Sequence, residues 1–334
     1  MSAHQRPLTG SVAVVAGATR GAGRGIARGL GEAGATVYCT GRSTTGNPSP
    51  YKRKETIDET AEQIRDAGGN AISVRVDHTV ESEVEALFKR VVKEQGGLDV
   101  LVNSIAGEDP RGSMSQWCSF WKTKLDDAEL TFRQSLLSHI ITAKHAVPCM
   151  IEKKRGLIVE VSENDGLGAG GNPITQTVKL ALKSLALNLA AELRPYSVSV
   201  VSVTPGFLRS ETMLERFRVT EANWRDGGKK DKNFLESETP LFLGRGVAAL
   251  AADPATIEQS GMLFSSWELG RKYGLTDADG NRPDWGAHTI DFSGHPKSLI
   301  DLLRIGSDMQ IRWLQKLTAN AEILRKKLPE SAAR

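Results

Sequence analysis

The chain has 334 residues, 40% hydrophobic and 25% charged, with 43 Lys and Arg against 40 Asp and Glu for a net charge of +3. That is enough apolar material for one large α/β domain with appendages, and too little net charge for an electrostatic nucleic-acid binder. Its three cysteines, Cys39, Cys118 and Cys149, are odd in number and lack metal-ligand spacing, so neither a disulfide framework nor a metal site is expected and the setting is read as reducing and cytoplasmic.

Residues 1–10 hold no apolar signal core, and no uninterrupted apolar run is long enough for a bilayer, so no membrane partner is expected. The first strand, Val12 to Val15, runs through Ala16 into a turn with Gly17, Gly21 and Gly23, after which Ile26, Ala27 and Leu30 form a helical apolar face. A strand, a glycine turn and a helix in that order form a nucleotide cradle. The glycines admit a pyrophosphate close to the backbone, and the helix N-terminus favours its charge.

Further strand-like runs follow at Thr36 to Cys39, Ala71 to Val76, Val100 to Asn103, Leu157 to Val161 and Ser197 to Val203. Helical spacing separates them, as in Val84, Leu87, Phe88 and Val91, or Leu182, Leu185, Leu189 and Leu193. This alternation predicts an α/β, Rossmann-type, doubly wound parallel sheet. A Gly, Pro and Ser-rich loop at 41–50 precedes a helix near Ile57 to Ala67, and Lys52, Arg53 and Lys54 read as a solvated loop. The irregular stretch of about 207–239 leaves the sixth strand and is positioned to act as a mobile substrate lid. Trp117, Phe120 and Trp121 read as a substrate wall, a subunit contact or core. Beyond Trp285 the spacing of Leu299, Leu302, Leu303, Ile311 and Leu314 predicts a C-terminal helical extension. The expected division is 1–286 for the main domain and 287–334 for the extension, which packs on its own domain or on a partner subunit.

Taken together, the glycine turn, Asp77, the segment Asn103-Ser104-Ile105-Ala106-Gly107, Ser162, Lys179 and Pro205-Gly206 resemble the short-chain dehydrogenase/reductase family over roughly residues 8 to 270. The segment from Arg271 to Gly280 is similar to one branch of that family. The resemblance implies that Asp77 meets the adenine edge and that Asn103 to Gly107 floors the cofactor, with one residue more than the usual Asn-Asn-Ala-Gly. It implies that Pro205-Gly206 sets Leu208 and Ser210 beside the nicotinamide carboxamide, and that Thr19, Ser43 and His78 also border the dinucleotide. Such enzymes commonly pair through helices, so a homodimer or higher homo-oligomer is expected.

An NAD site of this kind wants a carboxylate after the second strand, yet no Asp or Glu occurs from Ala33 through Lys54. Arg20 and Arg42 stand there, and a guanidinium suits a 2′-phosphate, so the expected cofactor is NADPH.

The family's Tyr-x-x-x-Lys, with a serine thirteen residues ahead of the tyrosine, falls on Thr175, Lys179 and Ser162 here. The register holds and the tyrosine is absent. Lys179 is left to bond the nicotinamide ribose, and the proton donor is reduced to an aliphatic hydroxyl. The family's helical Asn is missing too, Ser135 being nearest, with His139 one turn beyond it. Hydride addition to a ketone leaves an alkoxide needing a proton, whereas addition to an iminium neutralises charge. Glu163 and Asp165, just after Ser162, can steady a cation or assist water loss from a hemiaminal, or else simply cap the loop. The expectation is therefore an NADPH-dependent reductase of a small molecule, an iminium, imine or hemiaminal, in natural-product tailoring or self-protection. A non-redox cyclase or dehydratase, and an NADPH-binding pseudoenzyme, remain as alternatives.

Overall fold

A computed structural model describes residues 6–49, 53–106, 119–163 and 172–290. Seven strands form one parallel sheet: β1 (Val12–Ala16), β2 (Thr36–Gly41), β3 (Asn70–Arg75), β4 (Val100–Asn103), β5 (Gly156–Val161), β6 (Val198–Thr204) and β7 (Leu263–Ser265). Their order across the sheet is β3-β2-β1-β4-β5-β6-β7. The order reverses between β1 and β4, so the chain leaves these neighbours toward opposite faces and a crevice opens at their carboxyl ends, where α/β sheets bind ligands. The three-residue β7 was not among the expected runs, since it is too short to carry an alternation.

Alternate residues of β1 serve opposite layers, as a strand's period of two requires. Ala13 and Val15 join one core with α1 (Gly21–Glu32), α2 (Ile57–Asp66), α8 (Pro240–Ala252) and α9 (Ser266–Tyr273). Val12 and Val14 join the other with α3 (Glu81–Gln95), α5 (Ser138–Lys153) and α6 (Pro173–Leu193). The central strands β1 and β4 are buried on both faces, which is why their sequences read as apolar runs, whereas the edge strand β3 is only partly buried. On the first layer α1 and α8 come into backbone contact. A Cβ on Gly25 would lie 1.9 Å from the Pro240 carbonyl oxygen, so no larger residue fits at that crossing.

Three further α-helices are α4 (Leu125–Phe132), α7 (Glu211–Phe217) and α10 (Trp285–Ile290). Between α4 and α5 a π-helical turn spans Arg133–Leu137. The expected extension beyond 290 lies outside the described residues.

Candidate functional site

The glycine turn is built against the floor segment. Gly17 has φ +86°, and a Cβ there would fall 2.5 Å from the Ser104 carbonyl oxygen. Only glycine lets the two segments touch. The Gly17 and Ala18 N–H groups donate to the Thr40 carbonyl, and Ser104 N–H donates to the Ala16 carbonyl, so β1, β2 and β4 all fix the turn. The N-terminus of α1, expected to be open for an anion, meets one from its own chain. Gly21 N–H donates to Glu211 Oε2 at 2.8 Å, and Glu211 Oε1 pairs with buried Arg24 at 3.2 Å. Arg24 also donates to the Thr19 carbonyl and to Glu59, which ties the turn to α2.

The arginines expected to select the cofactor differ in setting. Arg20 lies 3.8 Å from Glu55, the first carboxylate beyond the acid-free stretch, which the loop folds back toward α1. Burial lowers the Arg20 pKa against the pull of Glu55. Burial alone would raise the Glu55 carboxyl, but hydrogen bonds from Arg53 and the charge of Arg20 hold it below its ordinary value. Arg53, read as solvated, is thus an ion-pair partner of Glu55 and of Glu215. Arg42 is half-buried, and its guanidinium makes no ion pair among the described residues. Ser43 is buried, and its carbonyl accepts from Ile57 N–H at the start of α2.

Asp77 accepts from the Thr79 N–H and hydroxyl through Oδ1. Burial would raise its carboxyl, and those bonds with the charge of Arg42 hold it below the usual range. His78 departs from expectation. Its ring is fully buried between the hydroxyls of Thr40 and Thr142, both nitrogens bonded, with burial pushing its pKa down to about 3. The side chain joins β2 to α5 and has no capacity left for a dinucleotide.

At the carboxyl ends of β4 and β5 the structure gathers buried polar groups. Asn103 donates to Glu160 Oε1 at 2.7 Å, while its own Oδ1 has no partner. Ser162 is 3% exposed, and its Oγ is likewise unpartnered. Thr175 and Lys179, four residues apart on α6, are half-buried, and their side chains have no hydrogen-bond partner among the described residues. Glu163 is exposed, whereas Asp165, Gly107 and Trp117 lie outside the described residues. Ser135 falls in the π-helical turn, a feature that often marks functional positions, and His139 turns its ring to Glu160.

The loop after β6 is braced from behind. Gly206 N–H donates to Ser266 Oγ at 3.2 Å, Ser266 donates to Glu238, and Trp285 packs on Gly206. Glu238 is fully buried with Oε1 unpartnered, and burial raises its pKa to about 8 against the Ser266 bond. No sequence signal marked it, because nothing local distinguishes a carboxylate that tertiary packing will bury. The Ser210 Cβ lies 3.7 Å from the position a Cβ on Gly21 would take, so residues 205–210 face the glycine turn.

The stretch 207–239, read as irregular, is largely helical. Its two legs join at Leu208 and Glu238, and Phe207, Phe217, Trp224 and Phe234 give it a small aromatic core. Buried Arg209 stacks on Trp224 with 3.9 Å to the ring centroid and pairs with Glu221 at 3.0 Å. Phe120 and Trp121 are 54% and 81% exposed, which excludes the core reading for both. No group of three or more metal-ligating side chains is placed to hold a metal among the described residues, and no helix there is long and apolar enough to cross a membrane.

Comparison with known proteins places this geometry. The short chain dehydrogenase family model matches residues 11–221. Dehydrogenase/reductase SDR family member 1 of Mus musculus is 37% identical over 277 residues, covering 82% of this chain and 85% of the relative. Its Homo sapiens counterpart is 36% identical over 276 residues, with the same coverage of 82% and 85%. A solved structure, hydroxysteroid dehydrogenase from Escherichia coli, superposes with a TM-score of 0.61 at 22% identity, covering 77% of this chain and 95% of that one, and speaks to the fold.

Proposed function

Because this chain belongs to the short-chain dehydrogenase/reductase family, and is an oxidoreductase of that type, we propose that it passes hydride from NADPH to a small iminium, imine or hemiaminal. One observation carries the substrate class: Lys179 stands one helical turn from Thr175, with no tyrosine at the position that would protonate a product alkoxide. A positioned general acid contributes roughly 10² to 10⁴ in rate, about 3 to 5 kcal/mol of barrier. Threonine is too weak an acid to supply it. A cationic C=N substrate takes hydride without that proton, so the remaining apparatus suffices. Natural-product tailoring or self-protection would present such a substrate.

The residues present fit the dinucleotide. The missing Gly17 side chain lets the floor segment close against the glycine turn, Ser162 Oγ and Asn103 Oδ1 are buried acceptors without partners, and Arg42 is placed after β2 without a competing carboxylate bonded to it. NADPH, when bound, supplies the hydride. Lys179 holds the ribose hydroxyls, Ser162 orients the substrate, and Leu208 and Ser210 flank the carboxamide. Arg42 would receive the 2′-phosphate, with Arg20, drawn toward Glu55 at 3.8 Å, as the lesser contact. Glu163, exposed beyond β5, steadies the cation at the mouth. Following NADPH oxidation by absorbance against a panel of ketones, cyclic iminium ions and hemiaminals tests this reading. Turnover of the C=N compounds is the expected result. Tight NADPH binding with no turnover of any of them would favour the non-redox or pseudoenzyme reading.

A further inference from the structure

His139 and Glu160 form a closed polar unit inside the second core layer, at 1% and 0% side-chain exposure. His139 Nε2 lies 2.8 Å from the Ile105 carbonyl oxygen and Nδ1 lies 2.6 Å from Glu160 Oε2. Glu160 Oε1 accepts from the Asn103 amide at 2.7 Å. The donor count is forced by chemistry. A carbonyl only accepts, so Nε2 carries a hydrogen. A bare imidazole nitrogen facing an ionised carboxylate at 2.6 Å would oppose two lone pairs, so a further proton lies between Nδ1 and Oε2. Whether written as imidazolium with carboxylate or as imidazole with carboxylic acid, the pair is neutral as a unit, which is the form burial tolerates.

What the unit holds is the floor segment. Ile105 sits in the stretch that is one residue longer than the family's pattern, and its neighbour Ser104 presses its carbonyl against Gly17. Asn103 anchors one end of the unit and the Ile105 carbonyl the other, across three elements: β4, β5 and α5. Freed from His139, residues 104–106 have no other side-chain hydrogen bond among the described residues, and their shift would move Ser104 on the glycine turn. We propose that His139 and Glu160 are positioning residues for the dinucleotide: through a hydrogen-bond chain that carries one shared proton they fix the Ile105 carbonyl, and with it the floor on which the nicotinamide half rests. This rests on reading residues 103–106 as the cofactor floor.

Two variants and one spectrum test it. Glu160→Gln keeps every bond, since its amide donates to Nδ1 and its oxygen accepts from Asn103, and NADPH affinity is expected within about twofold of the unmodified protein by calorimetry. The double variant His139→Phe with Glu160→Leu removes the unit without stranding a charge, so the fold is expected to persist by circular dichroism while NADPH binding weakens tenfold or more. The unmodified protein should show a far-downfield proton resonance from the shared proton that Glu160→Gln lacks. Unchanged affinity in a folded double variant would overturn the positioning role while leaving the cofactor reading intact. Tenfold loss in Glu160→Gln would overturn the hold by hydrogen bonds alone, and no downfield resonance would overturn the shared proton. An unmodified protein that binds no nicotinamide dinucleotide would instead overturn the cofactor reading, and this inference with it. If the double variant does not fold, the spectrum still decides the shared proton, and His139→Asn, whose shorter amide can meet Glu160 but not the Ile105 carbonyl, decides the hold on Ile105 by the same affinity: no weakening there overturns it.

Discussion

Glu211 Oε2 accepts the Gly21 N–H at 2.8 Å, so α7 sets a carboxylate on the N-terminus of α1, where the glycine turn would receive a pyrophosphate. A charge at a helix N-terminus contributes about 0.3–1 kcal/mol when exposed and up to about 2 kcal/mol when partly buried. Two anions cannot share that end without repulsion. Glu211→Gln is therefore expected to tighten NADPH binding about three- to tenfold in calorimetric titration, and unchanged or weaker binding would show that the carboxylate does not compete.

Arg42 carries the preference for the 2′-phosphate more than Arg20 does, because Arg20 is already drawn to Glu55 at 3.8 Å. Arg42→Ala should weaken NADPH about tenfold or more, as loss of a charge-assisted contact of about 1.5–3 kcal/mol implies, and leave NADH nearly unchanged. Equal loss for both dinucleotides would remove the phosphate from its list of contacts.

How much of this was legible beforehand follows from range along the chain. β4 matched its expected run, Val100 to Asn103, because four buried apolar or strand-end residues stand between clear turns. The glycine turn and the Ser162, Thr175, Lys179 register were readable because their spacing is local. Glu55 was not connected to Arg20, nor Glu211 to Gly21, since 35 and 190 residues separate those pairs and no periodicity links them. Glu160 hid in an apolar strand, and His139 gained meaning only when α5 packed across β5. The short helices of 207–239 leave little trace in the sequence because their turns, rich in Gly, Lys and Asp at Asp226 to Lys232, carry no amphipathic period.

Glu238 gives stability a distinct pH dependence. Its carboxyl keeps its proton to about pH 8 in the folded chain, against an ordinary value of 4.5. Between those values the folded state binds more protons than the unfolded one, so this group makes stability fall as pH rises from about 4.5 to about 8. Denaturant midpoints across that window should decline less steeply in Glu238→Gln than in the unmodified protein. Parallel profiles for the two would contradict the burial of a neutral acid behind Gly206.

Association is expected through apolar surface that a monomer would leave wet. Phe120, Trp121, Leu125, Leu130, Leu137 and Ile140 are exposed along the turn before α4, α4 itself, the π-helical turn and α5. Light scattering at micromolar concentration should give a dimer or higher, and Trp121→Glu with Leu125→Glu should lower the mass. A monomeric unmodified protein would contradict this.

The direct test of the account is Thr175→Ala, assayed beside the unmodified protein for NADPH oxidation with a cyclic iminium and with a simple ketone. The account predicts that both proteins reduce the iminium at comparable rates, within about threefold, and that both turn over the ketone slowly, because no strong acid stands at position 175 to be lost. Robust ketone reduction by the unmodified protein, abolished in Thr175→Ala, would contradict it and make the Thr175 hydroxyl itself the proton donor.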